Sequence, residues 1–341
     1  IYNIWIDTFR VLALCIGTVP CLTRVPVTDL DNTGTYGEVI ITNVGPITVA
    51  NNVSSKGDIT LTAFDTLAID AENVSVSASV VISANNSEDG ADGSDANQTA
   101  VVTINAGDNV TIDASASIFS EYTITINVDN PATRVGADPD LPGGGEVTIP
   151  YSVLTIPNIT GRMTTINGGD DVTSAADADI FNIAPQNGTP ITIHGGLPIL
   201  PVTPGDTLNL NLNTLSAIPP TLTVWLAGAG IFSFPGTEQR ITYFSIEDVN
   251  VDPAIANYHL VLDPRNPGGY GDNAIDTDNT EDRLLVQQIG TDLVLSRTGP
   301  DDTDFAATPP APVNWVGEIF RGDIANILSL TIEGSDDNDI V

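Results

Sequence analysis

From about Thr33 to Val128, aliphatic and polar residues alternate in short runs separated by Gly, Asn, Asp and Ser. A side-chain period of two belongs to a strand with one buried face, so each run is predicted to be a short β-strand. Three of them share one form, a polar turn residue followed by alternating aliphatic and hydroxyl residues and then alanine: GDITLTA from Gly57, NVSVSA from Asn73 and NVTIDA from Asn109. The last two begin 36 residues apart and enclose an acidic, Gly- and Ser-containing loop, NNSEDGADGSDANQT, of about fifteen residues. Without the loop about twenty-one residues remain, close to one turn of a parallel β-helix. An antiparallel sandwich with similar alternation is the competing architecture.

Gly136 to Gly145 (GADPDLPGGG) is rich in turn residues and marks a candidate boundary. Beyond it, alternation predicts strands at Ile180–Ile183, Ile191–His194, Thr207–Leu212, Leu222–Leu226, Ile231–Phe234 and Ile241–Phe244, a pattern suited to a sandwich or jelly roll. RLLVQQIGTDLVLSRTG, from Arg283, reads as a hairpin, and no run of helical period is long enough to predict a helix. The expected class is therefore all-β. It divides into an apolar N-terminal segment (1–30), a β-helix-like or sandwich domain (31–145), a β-sandwich module (146–255) and a second, partial β module (256–341).

Two features bear on assembly. IPNITGRMTTINGGDD, from Ile156, returns near the end as IANILSLTIEGSDD, from Ile324, so a module boundary is expected inside this motif, with the second copy stopping at DNDIV. The opening stretch is apolar on both alternating faces from about Phe9 to Ile16. It is either a core strand of the first domain or a donor strand that completes a neighbouring copy. Ile4, Trp5, Ile6, Phe9, Val11, Leu12 and Leu14, with Ile332 and Ile340 at the other end, are the candidate assembly residues. The stretch also has the charged and apolar parts of a secretory signal, and is too short to span a bilayer.

The rungs resemble the β-helical parts of bacterial haemagglutinin-like adhesins, which repeat phrases like GDITLTA and AGDNVTIDA (Ala106–Ala114). Residues 160 to 251, and in part 315 to 341, are similar to modules of very large secreted bacterial repeat proteins. Phrases like GGDD-x-DxFxI, xITxxGGxP, GDTLxLxL and YxxIEx recur in those modules in order, and in this chain they stand as GGDDV with DADIFNI, PITIHGGLP, GDTLNLNL and YFSIED. The resemblance implies an extracellular module and no particular reaction.

Charge narrows the partners. Against 44 acidic residues stand 10 basic ones, and Lys56 is the single lysine, so phosphate backbones and anionic lipid surfaces are repelled. With 41% hydrophobic residues the chain is expected to fold rather than stay disordered. Closely spaced aspartates with glycine-supported carbonyls are the donor set calcium takes. Asp170, Asp171, Asp177 and Asp179 in one copy of the doubled motif, and Asp336, Asp337 and Asp339 in the other, are candidate Ca2+ ligands; ordinary turn chemistry is the plainer explanation of them. GGYGDNAID, from Gly268, departs from the calcium nonapeptide by placing its aspartate one position early.

Cys15 and Cys21 (CIGTVPC) could close a small disulfide or remain thiols. Asn-x-Ser/Thr sequons at Asn52, Asn73, Asn85, Asn97, Asn109, Asn158 and Asn187 are close to what composition alone produces, so glycans are a possible partner only. Arg321-Gly322-Asp323 is expected as a step between strands rather than an adhesion tripeptide. His194 and His259 lie in alternating strands, and no nucleophile elbow, zinc helix or phosphate loop is present, so no catalytic residue is assigned. The expected function is a structural subunit of an extracellular filament or surface assembly, a homopolymer joined by β-strand complementation. The alternatives are a monomeric adhesin or glycan-binding surface protein, and a β-helical polysaccharide-degrading enzyme with paired carboxylates.

Overall fold

The structure is a computed structural model. It describes residues 8–13, 25–27, 30–32, 38–64, 73–85, 100–129, 144–152, 157–169, 178–196, 205–212, 220–226, 228–252, 257–262, 284–298, 315–327 and 329–333. The first turn of chain lays down β1 (Thr8–Ala13), β2 (Val25–Val27) and β3 (Leu30–Asn32), and the second β4 (Glu38–Val44), β5 (Ile47–Val49) and β6 (Val53–Ser55). Then come β7 (Ile59–Phe64), β8 (Val74–Val76) and β9 (Val81–Ala84), followed by β10 (Val102–Ala106), β11 (Val110–Ile112) and β12 (Ser117–Ser120). The fifth turn is β13 (Thr123–Asn127), β14 (Glu146–Ile149) and β15 (Ile159–Thr160).

First strands stack on first strands as sheet A, second on second as sheet B and third on third as sheet C, every pair here being parallel. Parallel neighbours need a crossover, and each circuit of the coil supplies one. This is a parallel β-helix, which decides residues 31–145 against the antiparallel sandwich. The 36-residue spacing of Asn73 and Asn109 becomes one rung step, since Val74 and Val110 are register partners. Pro26, which has no N–H to give a ladder, sits in β2, the outermost strand of sheet B.

Residues 146–255, expected as a separate β-sandwich module, continue the same two sheets. β16 (Met163–Asn167) and β18 (Ile191–His194) extend sheet A, and β17 (Ile180–Ile183) and β19 (Thr207–Asn211) extend sheet B. Among the described residues sheet C has no strand after β15, only a parallel bridge from Thr160 to Gly188, while the other two walls go on. Sheet A then takes in an antiparallel hairpin, β20 (Thr221–Leu226) and β21 (Ala229–Ser233), before β22 (Ile241–Phe244) resumes the rung that β23 (Asp248–Asp252) completes in sheet B. β24 (Asn257–Leu262) follows in sheet A, pairing with β20. The predicted hairpin forms as β25 (Leu284–Ile289) and β26 (Asp292–Thr298), turning at Gly290 with φ +64°. β27 (Trp315–Asp323) contains Arg321-Gly322-Asp323, which therefore lies within a paired strand rather than at a step between strands. A short 3-10 turn, Ile324–Asn326, leads to β28 (Ser329–Glu333) in sheet A, so both copies of the doubled motif place the strand that carries their Thr-Ile pair in that sheet.

Alternation decides which side faces in. Val39, Ile41, Ile59, Leu61, Val102, Ile104, Ile124 and Ile126 on sheet A meet Ile47, Val49, Val74, Val76, Val110, Ile112 and Val147 on sheet B in one core. Each fully buried aliphatic side chain contributes about 1.5–3 kcal/mol relative to exposure. The same cluster runs on through Phe181, Leu208, Tyr243 and Leu295, across the Gly136–Gly145 stretch.

Candidate functional site

Two features set some side chains apart from the ordinary demands of a coil. The first is the corner where sheet A turns into sheet B. In the early rungs it is filled by Ala63, Ala106 and Val128, all fully buried. In the later rungs glycines take over, and carboxylates occupy the space. A Cβ on Gly168 would collide with Asp179 Oδ2, and one on Gly195 with the Ser245 carbonyl and Asp206 Oδ2.

The acids form a ladder. Gly145 N donates to Asp179 Oδ1 (2.7 Å) and Gly169 N to Asp179 Oδ2 (2.9 Å). One rung on, Asp179 N donates to Asp206 Oδ1 (2.8 Å), and Asp206 N in turn to Glu247 Oε2 (2.8 Å). Asp179, Asp206, Glu247 and Asp129 are all buried. Burial first, then the negative charge of Asp206 and Asp129, pushes the Asp179 carboxyl up to about 9, against the pull of its two backbone donors. Chemically the corner replaces methyl packing by hydrogen bonds to backbone N–H groups that a looser, glycine-rich turn leaves over.

The second feature is the outer face of sheet A. Ile40, Thr60, Thr103, Thr125, Thr165, Thr192 and Thr242 are in register along the coil axis. Beside them runs Thr42, Thr62, Asn105, Asn127, Asn167, His194 and Phe244. The amides of the second row form a chain: Asn105 Nδ2 donates to Thr62 Oγ1 (3.2 Å), Asn127 to Asn105 (2.7 Å) and Asn167 to Asn127 (2.7 Å). His194 stacks on Phe244 with ring centroids 5.1 Å apart, and partial burial lowers its pKa. Sheet B carries a matching amide chain outside, from Asn250 to Asn209 (3.1 Å), Asn209 to Asn182 (2.8 Å), and Asn182 to Glu146.

Of the candidate calcium ligands, Asp179 is buried with both oxygens engaged by backbone N–H groups. Asp170, Asp171, Asp177, Asp336, Asp337 and Asp339 lie outside the described residues, as does the segment from Gly268. Among the described residues no group of three or more His, Cys, Asp or Glu is placed to hold a metal ion. Ile4, Trp5, Ile6, Leu14, Cys15, Cys21 and Ile340 also lie outside; Phe9, Val11 and Leu12 fall within β1, which pairs in parallel with β4, and Ile332 lies in β28, packed against the core. Several sequon asparagines serve the coil: Asn73 and Asn109 accept backbone N–H groups from the next rung, and Asn158 is fully buried. Asn187 is exposed.

Asp206, Glu247 and Asp129 are not among the candidates read from the sequence, although a signal for the first two exists. DIFNI, DTLNL and EDVNV each place an acid two positions before an aliphatic-Asn-aliphatic or aromatic-Asn-aliphatic strand. Likewise Thr-Ile-Asn occurs at 103–105, 125–127 and 165–167, with Thr-Ile-His at 192–194. No family model, no curated protein and no solved structure matches this chain.

Proposed function

We propose that the chain is a structural, non-catalytic part of an extracellular assembly, a β-helical rod that joins copies of itself by strand addition. The observation that carries it is the in-register parallel stacking of sheets A and B, in which each strand is the template for the next. β1 meets β4 along its whole length, and among the described residues β1, β2 and β3 have no strand on their outer sides. A strand from a second copy finds there the backbone pattern that β4 offers β1. Such a contact is heterologous and propagates. The acidic surface keeps the rods dispersed laterally.

The enzymatic alternative needs two carboxylates about 5 to 9.5 Å apart on an accessible face. On the outside of sheet B, Glu146 and Asp248 are three strand steps apart, roughly 14 Å, and Asp248 and Asp252 are about 13 Å apart along one strand. Asp129, Asp179, Asp206 and Glu247, at the corner, are buried rather than on an accessible face.

Removing residues 1–16 tests the joint. The expected product is folded, with an unchanged far-ultraviolet spectrum, and fails to form the long species that the full chain is expected to give by negative stain. Filaments that persist without residues 1–16, or a full chain that light scattering finds to be a monodisperse monomer, would sink the proposal. Calcium bound at the aspartate turns is a separable proposal; a melting midpoint that chelator leaves unchanged argues against a structural ion.

A further inference from the structure

Two rows on the outer face of sheet A, inside Glu38 and Asp58 at its margin, differ from the rest of the molecule in charge. The chain carries a net charge of −34, yet the two rows from Ile40 and Thr42 to Thr242 and Phe244 contain one ionisable side chain, His194. The rows cross seven strands, and because Thr242 on the last of them is buried, the accessible lane spans six, roughly 24 Å at the spacing of neighbouring strands. The hydroxyls of Thr60, Thr103, Thr125, Thr165 and Thr192 make no hydrogen bond within the described residues, unlike that of Thr62. They repeat once per rung, at about 4.8 Å, beside an amide chain with the same repeat. At one end the lane passes from amides to the stacked His194 and Phe244, and Phe244 packs against Ala229 and Ile231.

We infer that this lane is a binding surface for an uncharged linear polysaccharide lying along the coil axis. Charge excludes the alternatives in turn: an anionic glycan or nucleic acid is repelled by the surrounding carboxylates, and a cationic partner finds no carboxylate in the lane. What remains to be recognised is a neutral ligand with hydroxyl groups at a regular short repeat. One rung is close to the length of one sugar ring in an extended glycan, so in the three middle rungs each ring meets one threonine hydroxyl and one amide, from Thr103 with Asn105, Thr125 with Asn127 and Thr165 with Asn167. The aromatic end gives the apolar C–H faces of a sugar a surface to pack on. Because the rungs are held by a continuous core, the lane is ordered before the ligand arrives, which lowers the entropy cost of binding. This surface is independent of the joint between copies, so either can fail without the other.

The test is depletion of the full chain from solution by insoluble cellulose, chitin and a β-1,3-glucan, with alginate gel as the anionic comparison. Retention is expected on at least one uncharged polymer, insensitive to high salt, and not on alginate. Thr125→Asp and Thr165→Asp place a charge in the lane without touching the core, and each should weaken retention roughly tenfold or more, as expected when a charge is desolvated without a partner. Thr111→Asp, on the outer face of sheet B, should leave retention unchanged. Thr125→Val, which keeps shape and loses the hydroxyl, gives a smaller loss and guards against a misfolded Asp variant; melting checks all four. No retention on any uncharged polymer, equal binding to alginate, or equal loss from Thr111→Asp overturns the inference.

Discussion

The corner between sheets A and B is built twice from different materials. In the first half, Ala63, Ala106 and Val128 close it with buried methyl groups. In the second, Gly168 and Gly195 withdraw their side chains, and Asp179 and Asp206 fill the gap with carboxylates that bind backbone N–H groups one rung away. The first solution is indifferent to pH and tolerant of small changes in volume. The second ties each rung to the next but keeps like charges together out of water, so its stability depends on protons.

Substitution at the corner glycines should separate the halves most sharply. Gly168→Ala forces a methyl into Asp179 Oδ2 and is expected to cost about 3 kcal/mol or more. Ala106→Gly, at the matching place in the first half, should cost only about 1 kcal/mol. Urea unfolding measures both, and similar costs would mean that the two corners are not built differently. Next comes pH. Folded Asp179 holds its proton up to about 9, whereas the unfolded group releases it near 3.8. Its contribution to stability is thus fully present below pH 3.8 and declines as pH rises towards 9. Melting temperature should fall between about pH 5 and pH 9, a window in which ordinary surface carboxylates no longer titrate. Asp179→Asn should flatten that slope, and a slope equal to the parent's would refute the assignment.

Glu247→Ala leaves the buried N–H of Asp206 without its acceptor and is expected to cost about 1–3 kcal/mol. Differential scanning calorimetry at fixed pH decides; no change would show that the ladder ends at Asp206. The smallest effect belongs to the outer amides. Asn127→Ala breaks two side-chain bonds at the surface and should cost about 1 kcal/mol in urea unfolding. A cost above that of Gly168→Ala would mean that the outer amides, and not the corner, hold neighbouring rungs together.

Much of the coil was legible. The strands at Ile180–Ile183, Ile191–His194 and Ile241–Phe244 have the bounds that alternation predicted, because one buried and one exposed face write themselves into the chain at a period of two. What alternation does not contain is which strand lies beside which. Parallel and antiparallel strands with one buried face carry the same pattern, so residues 146–255 read as a sandwich although Thr164 pairs with Ile191 in parallel. The corner was half legible. Asp179 stood out by its neighbours in an acidic turn, whereas Asp206, between Gly205 and Thr207, and Glu247, beside Asp248, are distinguished only by recurrence before each sheet B strand. Repetition across a rung is invisible to a window shorter than the rung.

The hairpin β20–β21 has a geometric consequence. It adds two strands to sheet A between β22 and β24, while in sheet B β23 passes directly to β27. Between these two rungs sheet A is therefore longer than sheet B by two strand spacings, roughly 10 Å, although β26 and β25 lengthen sheet B again beyond β27. Two joined walls of unequal length stay in contact only by curving towards the shorter. A rod that repeated this insertion would be an arc, with sheet B on the inside of the bend and the threonine lane on the outside.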